Sequence, residues 1–89
     1  MWRNESYKGF LINVLPVLKH NPEPGQQVPY GYTGYVNRPG AVIAVEANIR
    51  RFTHPSADFP NEAMAAQAAF EEGRSIIDRT HSELTIDGL

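Results

Sequence analysis

The segment 59–80 (FPNEAMAAQAAFEEGRSIIDRT) restricts the fold of this 89-residue chain more than any other stretch. It is rich in alanine, glutamate, glutamine and arginine, which lose little side-chain entropy in a helix. Its apolar and small residues recur at alternating spacings of four and three, which places them on one stripe of a helix. The pattern predicts an amphipathic helix over 59–80 that covers one face of a small sheet. The stripe consists of Phe59, Ala63, Ala66, Phe70, Gly73 and Ile77, widened by Ala69 and Ile76.

Two features of this predicted helix leave alternatives open. Asp58 or Asn61 can act as the N-cap, because each short side chain can accept a hydrogen bond from the first free N–H groups. Gly73 costs about 1 kcal/mol relative to alanine inside a helix. Either a close approach of the helix to the sheet or a kink at this point would explain a glycine there.

Three apolar segments before the helix, 7–18, 28–36 and 41–52, have the pattern of strands. A proline-rich loop separates the first two, and Asn-Arg-Pro-Gly at 37–40 is typical of a turn between the last two. Short connections favour an antiparallel meander. We therefore predict one α+β domain spanning 1–89, a three-stranded antiparallel sheet over 7–52 with the helix packed on one face.

The two ends of the chain are less regular in sequence. Residues 1–6 are polar apart from Trp2, so we predict a loose start. Residues 82–89 follow the predicted helix as a tail. They are either a frayed end or contain a short fourth strand around 84–86.

The predicted strands also assign side chains to faces, because successive residues point to opposite sides of a sheet. In the second strand, Tyr30 and Tyr32 share one face and Tyr35 lies on the other. Gly31 and Gly34 weaken this strand and indicate a bulge. The third strand has one strongly apolar face, which we expect to meet the helix. That face consists of Ile43, Val45, Ala47 and Ile49.

The order of these elements resembles that of small uncharacterised bacterial proteins with a β-β-β-α plan. Tyr-Lys-Gly-Phe at 7–10 and Gly-Arg-Ser-Ile-Ile-Asp at 73–78 carry the resemblance. It implies the fold and a bacterial origin but no activity, because these are packing motifs. The chain also distantly resembles the HicB-like antitoxin fold, which places a helix with an early Glu-Ala after a three-stranded meander. It departs from that fold in lacking a Leu-Pro-Gly-Cys-like segment and room for a DNA-binding module.

Residue types that carry chemistry are sparse and scattered along the chain. Cysteine is absent, which excludes disulfides, thiolate metal sites and cysteine nucleophiles. His20, His54 and His81 lie in different elements and lack the spacing of a metal-binding helix. No phosphate-binding glycine motif and no nucleophile elbow occur. We therefore expect no enzymatic activity, no cofactor and no metal site.

The distribution of charge and hydropathy limits the partners. No apolar run reaches the ~20 residues that cross a membrane, and residues 1–10 lack the apolar core of a signal peptide. We therefore expect a cytoplasmic protein without membrane contact. The formal net charge is −2. Residues 1–57 contain six Lys and Arg against three Asp and Glu, whereas 58–89 contain two against seven, so a local basic face on the sheet is compatible with the overall acidity.

Two kinds of partner are compatible with the predicted sheet. One helix covers one face only, and both faces carry apolar or aromatic residues, which predicts self-association as a dimer through the sheet. Alternatively, aromatic residues beside basic ones on an open sheet can stack bases and hold phosphates, which predicts a nucleic-acid-binding module. The candidate binding surface for either partner is Tyr30, Tyr32, Tyr35, Arg38, Arg50 and Arg51.

Overall fold

The described residues form a four-stranded antiparallel sheet with one helix packed against one face. The computed structural model describes residues 1–19, 29–54 and 58–89. Each strand pairs with the next one along the chain. The predicted α+β class is confirmed, but the described residues form four strands and not three. The elements are β1 (Arg3–Tyr7), β2 (Phe10–Leu18), β3 (Tyr30–Asn37), β4 (Ile49–Thr53) and α1 (Glu62–Ile77).

β1 replaces the loose start predicted for 1–6 and includes Tyr7, the first residue of the strand predicted over 7–18, whereas β2 contains the last nine residues of that prediction. Lys8 and Gly9 both have positive φ angles, 49° and 83°, and form the two-residue turn of a hairpin. Glycine adopts such angles without steric cost, whereas lysine is not a residue typical of this kind of turn. The sequence therefore indicates the turn at Gly9 but not at Lys8. β1 is polar, as suits an edge strand. Arg74 of α1 holds it in place through two hydrogen bonds to Glu5, at 2.8 and 2.7 Å.

β4 is much shorter than the strand predicted over 41–52. Residues 41–48 form turns, the last of them a 3-10 turn at Glu46–Asn48. Val42, Ile43 and Val45 in this connection are exposed. The alternating apolar residues of 41–48 predicted a strand, but they lie in a connection whose backbone does not pair with β3.

The faces predicted for the third strand are also corrected. Ile49 pairs with Asn37, and Arg50 pairs with Val36. Val36 belongs to the core, so Arg50 shares the helix side of the sheet and Ile49 lies on the opposite side. The prediction that Ile43, Val45, Ala47 and Ile49 meet the helix is therefore wrong.

The core lies between α1 and the two central strands. Phe10, Ile12 and Val14 alternate along β2, and their sheet partners on β3 and β4 point to the same side. Ile12, Val14, Val36 and Ile76 are the largest side chains that are completely buried. The buried cluster is Phe10, Ile12, Val14, Tyr32, Val36, Phe52, Ala66, Ala69, Ile76 and Ile77.

α1 is shorter than the predicted helix, and its buried stripe is rotated. Asn61, one of the two predicted caps, is the N-cap, because its side chain accepts from the Met64 N–H at 2.9 Å. Ala63 is exposed and Phe70 is only half-buried, so neither lies at the centre of the stripe. The small residues face the sheet because they allow the closest approach. The buried residues of α1 are Ala65, Ala66, Ala69, Gly73, Ile76 and Ile77.

Two glycines mark positions where a side chain would collide with a neighbour. A Cβ atom at Gly73 would lie 2.5 Å from Ile12 Cγ2, so close approach and not a kink explains this glycine. A Cβ atom at Gly34 would lie 2.6 Å from Phe52 Cζ, because the phenyl ring of Phe52 covers this position. The β2–β3 and β3–β4 registers run through Gly34 without interruption, so the predicted bulge is absent there.

Residues 81–89, here named the strap, follow the helix and form no strand, so the alternative of a fourth strand at 84–86 is wrong. The helix ends at Ile77, Asp78 is its C-cap, and Arg79 adopts a positive φ of 63°. The N–H groups of Arg79 and Thr80 then bond back to the carbonyls of Ile76 and Ser75, at 3.3 and 2.9 Å. This turn sends the strap back over the core, where Leu84, Ile86 and Leu89 pack against the buried cluster.

Candidate functional site

The six residues of the predicted binding surface do not form one surface. Tyr30 and Tyr32 lie on the helix side of the sheet, because they point to the same side of β3 as the core residue Val36. Arg50 lies on this side too, because it pairs with Val36. Tyr35 and Arg51 are paired residues on the opposite side. The alternation of β3 and β4 therefore divides the predicted surface between the two sides of the sheet, and α1 covers one of these sides.

Tyr32 is a buried structural residue in this arrangement. Its side chain is 5% exposed, and its hydroxyl donates to Glu72 Oε1 at 2.5 Å. Burial, followed by the hydrogen bond to Glu72, raises the pKa of Tyr32 well above that of a free tyrosine. The backbone of neighbouring Tyr30 exchanges two hydrogen bonds with Phe59, at 3.0 and 2.9 Å, which ties the segment before α1 to β3.

Arg38 and Arg50 hold the strap. Arg38 Nε donates to the Leu89 carbonyl at 2.8 Å, and its guanidinium lies 4.6 Å from the centre of the Phe10 ring. Arg50 donates to the carbonyls of Thr85 and Asp87, at 2.7 and 2.6 Å. Guanidinium groups are suited to this role because their planar N–H groups reach several acceptors at once. Neither side chain faces the side of the sheet that carries Tyr35.

The sheet side away from α1 is the candidate interaction surface, here named the open face. Trp2 packs edge-on against Tyr35, with 5.4 Å between ring centres. The side chains of Trp2 and Val17 are 47% and 40% exposed, and those of Leu15 and Tyr35 are partly exposed. The open face comprises Trp2, Asn13, Leu15, Val17, Thr33, Tyr35 and Arg51.

One end of this side is already covered by the chain itself. Glu46, from the connection before β4, accepts two hydrogen bonds from Arg51, both at 3.1 Å. The hydrogen bond from Arg51 lowers the pKa of Glu46, so the pair stays ionised and neutral overall. Beyond this pair, Asn37 and Ile49 are buried, and Asn37 accepts from the Asn13 amide at 2.9 Å. The remaining open face is therefore apolar at its centre and without net charge.

A cleft of about 480 Å³ runs along the free edge of β4. Its helix-side wall contains Glu72 and His81, whose side chains are 17% and 15% exposed. Glu72 Oε2 lies 2.9 Å from His81 Nε2, while its other oxygen accepts from Tyr32. The remaining lining residues are Thr33, Arg51, Phe52, Thr53, Glu83 and Leu84.

The side chains of Glu72 and His81 in the helix-side wall of this cleft are already paired. Both ring nitrogens of His81 make hydrogen bonds, so the imidazole offers no free base to a substrate. In the described ranges, no three His, Asp or Glu side chains are grouped so that they could hold a metal ion. His20 lies outside the described residues, and His54 lies at the end of β4, where its ring is 5.7 Å from that of Tyr32.

Sequence reasoning missed three residues that organise these surfaces. Trp2 was assigned to a loose segment, although an aromatic next to a polar strand can extend a sheet face. Glu72 was not identified as a functional residue, because the predicted stripe was rotated relative to the stripe that is buried. His81 has no sequence signal, since its partners come from the helix and from the next two backbone N–H groups.

Comparison with known proteins adds no relative to this description. No described protein family, curated protein or solved structure matches the chain. Among the described residues, no helix has both the length and the apolar character that crossing a bilayer requires.

Proposed function

We propose that this chain is a small non-catalytic interaction domain whose open face binds a second copy of the same chain, giving a dimer. The observation that carries this proposal is that α1 covers one side of the sheet, while Trp2 and Val17 are exposed on the other. An antiparallel sheet leaves one side in water at little cost when that side is polar. Here the centre is apolar and aromatic, so a partner that covers it removes apolar surface from water.

The charge of the open face favours a second copy over a charged partner. A two-fold interface brings the same patch of both copies together, so any net charge on the patch would oppose its own image. Arg51 is the charged member of the open face, and Glu46 neutralises it. Asn13 and Thr33 are neutral, so this patch can meet itself without like charges in contact.

The dimensions of the sheet support a modest interface. β2 spans nine residues, so at ~3.3 Å per residue and ~4.8 Å between strands the sheet side measures about 30 by 15 Å. Two such surfaces would bury about 900 Å² in total, which is the size of a weak or transient interface. The dimer should therefore dissociate on dilution.

Light scattering after size exclusion, over a range of concentrations, tests this proposal with two matched variants. Val17→Lys places a charge on the open face, and Met64→Lys places the same charge on the outer side of α1. Both residues are exposed and apolar, at 40% and 49%, so neither change disturbs the core. We expect Val17→Lys to weaken the dimer at least tenfold and Met64→Lys to leave it unchanged. A strict monomer up to about 1 mM, or equal effects of the two variants, would reject the open face as a dimer interface.

The alternative function, binding of single-stranded nucleic acid, rests on a different property of the same face. Trp2 and Tyr35 present aromatic edges and faces beside Arg51, and such rings can stack on bases. Arg38 and Arg50, which are bound to the strap, do not add to this face.

Titration with a short single-stranded RNA at low salt tests the alternative, with Tyr35→Ser and Arg51→Ala as variants. Binding that both variants reduce would favour nucleic acid as the partner. Absence of binding would reject the alternative, because low salt maximises phosphate contacts. The cytoplasmic location and bacterial origin expected from the sequence stay predictions beside either function.

A further inference from the structure

β4 is an edge strand, and the hydrogen bonds of its inner side fix which backbone groups point outward. In an antiparallel pair, residues whose N–H and C=O groups bond to the neighbouring strand alternate with residues whose groups point away from it. The N–H group of His54, directly after β4, donates to the Tyr32 carbonyl at 3.2 Å, in continuation of the β3–β4 register. Two residues earlier, Phe52 therefore also bonds to β3, whereas the backbone groups of Arg51 and Thr53 point away from it.

The outward groups of Arg51 and Thr53 have no hydrogen-bond partner within the described part of the chain. Ile49 points outward as well, but its N–H donates to the Glu46 carbonyl of the preceding 3-10 turn. The edge of β4 therefore offers donors and acceptors at a spacing of two residues. An extended chain has the same spacing of backbone groups, so a strand that lies alongside β4 can bond to all of them.

The two edges of the sheet differ in their surroundings. β1 is polar along its length, which protects an exposed edge from pairing with other chains. β4 instead borders the cleft of about 480 Å³, to which Phe52 and Leu84 contribute apolar side chains. Neighbouring strands lie about 4.8 Å apart, so a strand that pairs with β4 would enter this cleft.

The helix-side wall of the cleft has unbalanced negative charge. Glu83 lines it and is exposed, and none of the ion pairs between described residues includes Glu83. Glu72 adds a second carboxylate, which contacts His81. Arg51, the cation beside the cleft, is already paired with Glu46. A basic strand would meet complementary charge here, whereas pairing of β4 with a second copy of itself would bring two acidic walls together.

We propose that the free edge of β4 binds an extended segment of another protein, in which basic and small apolar residues alternate, as an additional antiparallel strand. Directly opposite residues of antiparallel strands point to the same side of a sheet. Residues of the segment opposite Phe52 therefore point to the helix side, where the stem of a lysine packs against Leu84 and its ammonium group reaches Glu83. This inference does not depend on the dimer, because the hydrogen bonds form at the edge and not on the open face.

A heptapeptide of alternating valine and lysine is a suitable probe, because its two halves can be modified separately. In the proposed pairing the lysines lie on the helix side, so the valine N–H groups face β4 and the lysine N–H groups face away from it. N-methylation of the valines should weaken binding at least tenfold, since several hydrogen bonds are lost. N-methylation of the lysines should leave binding unchanged. NMR titration of the full chain measures both, and the amide signals of Arg51 and Thr53 should shift on binding.

Substitutions in the chain test the same contacts from the other side. Thr53→Pro removes an outward N–H group, a change that an edge strand tolerates, and should weaken binding at least tenfold. Thr53→Val is its control, because it loses only the hydroxyl, which donates to the Tyr32 carbonyl at 3.1 Å. Glu83→Gln should weaken binding about threefold. Glu62→Gln removes the same charge beside Arg3, at the other edge of the sheet, and should have no effect.

Equal binding of the two methylated peptides, unchanged binding to Thr53→Pro, or no shift of the Arg51 and Thr53 amides at about 1 mM peptide would overturn the proposal. A dimer that Thr53→Pro dissociates and Val17→Lys does not would also overturn it, because a second copy would then occupy β4. Circular dichroism shows whether Thr53→Pro is folded. If it is not, the two methylated peptides decide with the wild-type chain.

Discussion

Gly73 of α1 lies directly over Ile12 of β2, with room for a hydrogen atom and none for a methyl group. A Cβ atom at Gly73 would lie 2.5 Å from Ile12 Cγ2, and Ile12 is itself completely buried between neighbours that cannot move aside cheaply. This contact sets the distance between helix and sheet, and therefore which side of the helix is buried.

Gly73→Ala should destabilise the protein, although alanine is the better helix former by about 1 kcal/mol. Overpacking against Ile12 should outweigh that gain and give a net loss of about 1–3 kcal/mol. Chemical denaturation of both proteins measures the difference. Ala63→Gly at an exposed position of the same helix is the control for helix propensity. A Gly73→Ala protein more stable than wild type would contradict the close contact.

Ile76→Ala should cost more stability than Phe70→Ala, the reverse of their order in side-chain size. Ile76 is completely buried, so its truncation leaves a cavity and should cost about 2–5 kcal/mol. Phe70 is half-buried at the margin of the core, and its loss should cost about 1–2 kcal/mol. Urea denaturation gives the free energy of unfolding of each variant, and the two midpoints can be compared directly when the free energy depends equally on urea concentration in both. A larger loss of stability in Phe70→Ala than in Ile76→Ala would indicate that the buried face of α1 is the one predicted from the sequence, with Phe70 near its centre.

Tyr32 should make the protein less stable in alkaline solution. Its pKa is raised by burial and by Glu72, so the folded chain holds the phenolic proton more tightly than the unfolded chain. The stability linked to this proton is complete below the ordinary tyrosine pKa of about 10 and is lost as pH rises from there through the raised value.

Tyr32→Phe removes this titration and should flatten the alkaline limb of the stability curve. At neutral pH the same change should cost about 1–3 kcal/mol, because Glu72 loses a donor in a partly buried position. Denaturation at several pH values from neutral to alkaline checks both effects. Tyr35→Phe on the open face is the control for loss of a phenol. Parallel alkaline limbs for wild type and Tyr32→Phe would refute the assignment.

Asp78 should contribute to stability in neutral solution and lose that contribution in acid. The Lys8 ammonium and then the Tyr7 hydroxyl, donating at 2.7 Å, lower the pKa of its carboxyl group. A lowered pKa in the folded state gives stability that is present above the ordinary aspartate value of about 3.9 and is lost as pH falls through the folded value.

Asp78→Asn should therefore be less stable than wild type at neutral pH and converge with it in acid. Thermal denaturation between neutral pH and about pH 3 follows this convergence. Lys8→Ala should lose part of the same contribution, and the double variant should lose less than the sum of the two. A difference between Asp78→Asn and wild type that stays constant with pH would mean that the carboxylate charge is not the cause.

The sequence predicted the helix well and the sheet only in part. The amphipathic pattern identifies α1 because a single stripe repeats over sixteen residues, but the stripe contains mostly alanine, so its centre is poorly defined by hydrophobicity. The hairpin turn at Lys8-Gly9 was not predicted, because only glycine is a residue type that favours the positive φ angles of such a turn. In 41–48, apolar alternation predicts a strand, yet pairing with β3 begins only at Ile49.

The candidate surface depended on contacts that no local pattern contains. Tyr30, Tyr32 and Tyr35 were correctly divided between two faces, because alternation along one strand is a local property. The face that the helix covers depends on contacts between residues far apart in the chain. Because the helix covers the face that contains Tyr32, this side chain is buried. Arg38 and Arg50 were predicted to lie on a binding surface, but both bind carbonyl groups of the strap. The sequence did not reveal these partners, because they lie far from both arginines in the chain.

The sequence by itself determined the class of fold, the amphipathic helix with its cap narrowed to Asp58 or Asn61, and the alternation of side chains along β2 and β3, because helix propensity, capping and strand periodicity act between near neighbours. Only the tertiary structure decided that the polar segment Arg3–Tyr7 is a strand, that 81–89 pack as a strap, and that Glu72 and His81 meet beside β4. These features are stabilised by partners distant in sequence, such as Glu5 with Arg74 and Arg50 with Thr85, and contacts of this kind form only when the whole chain has closed around one core.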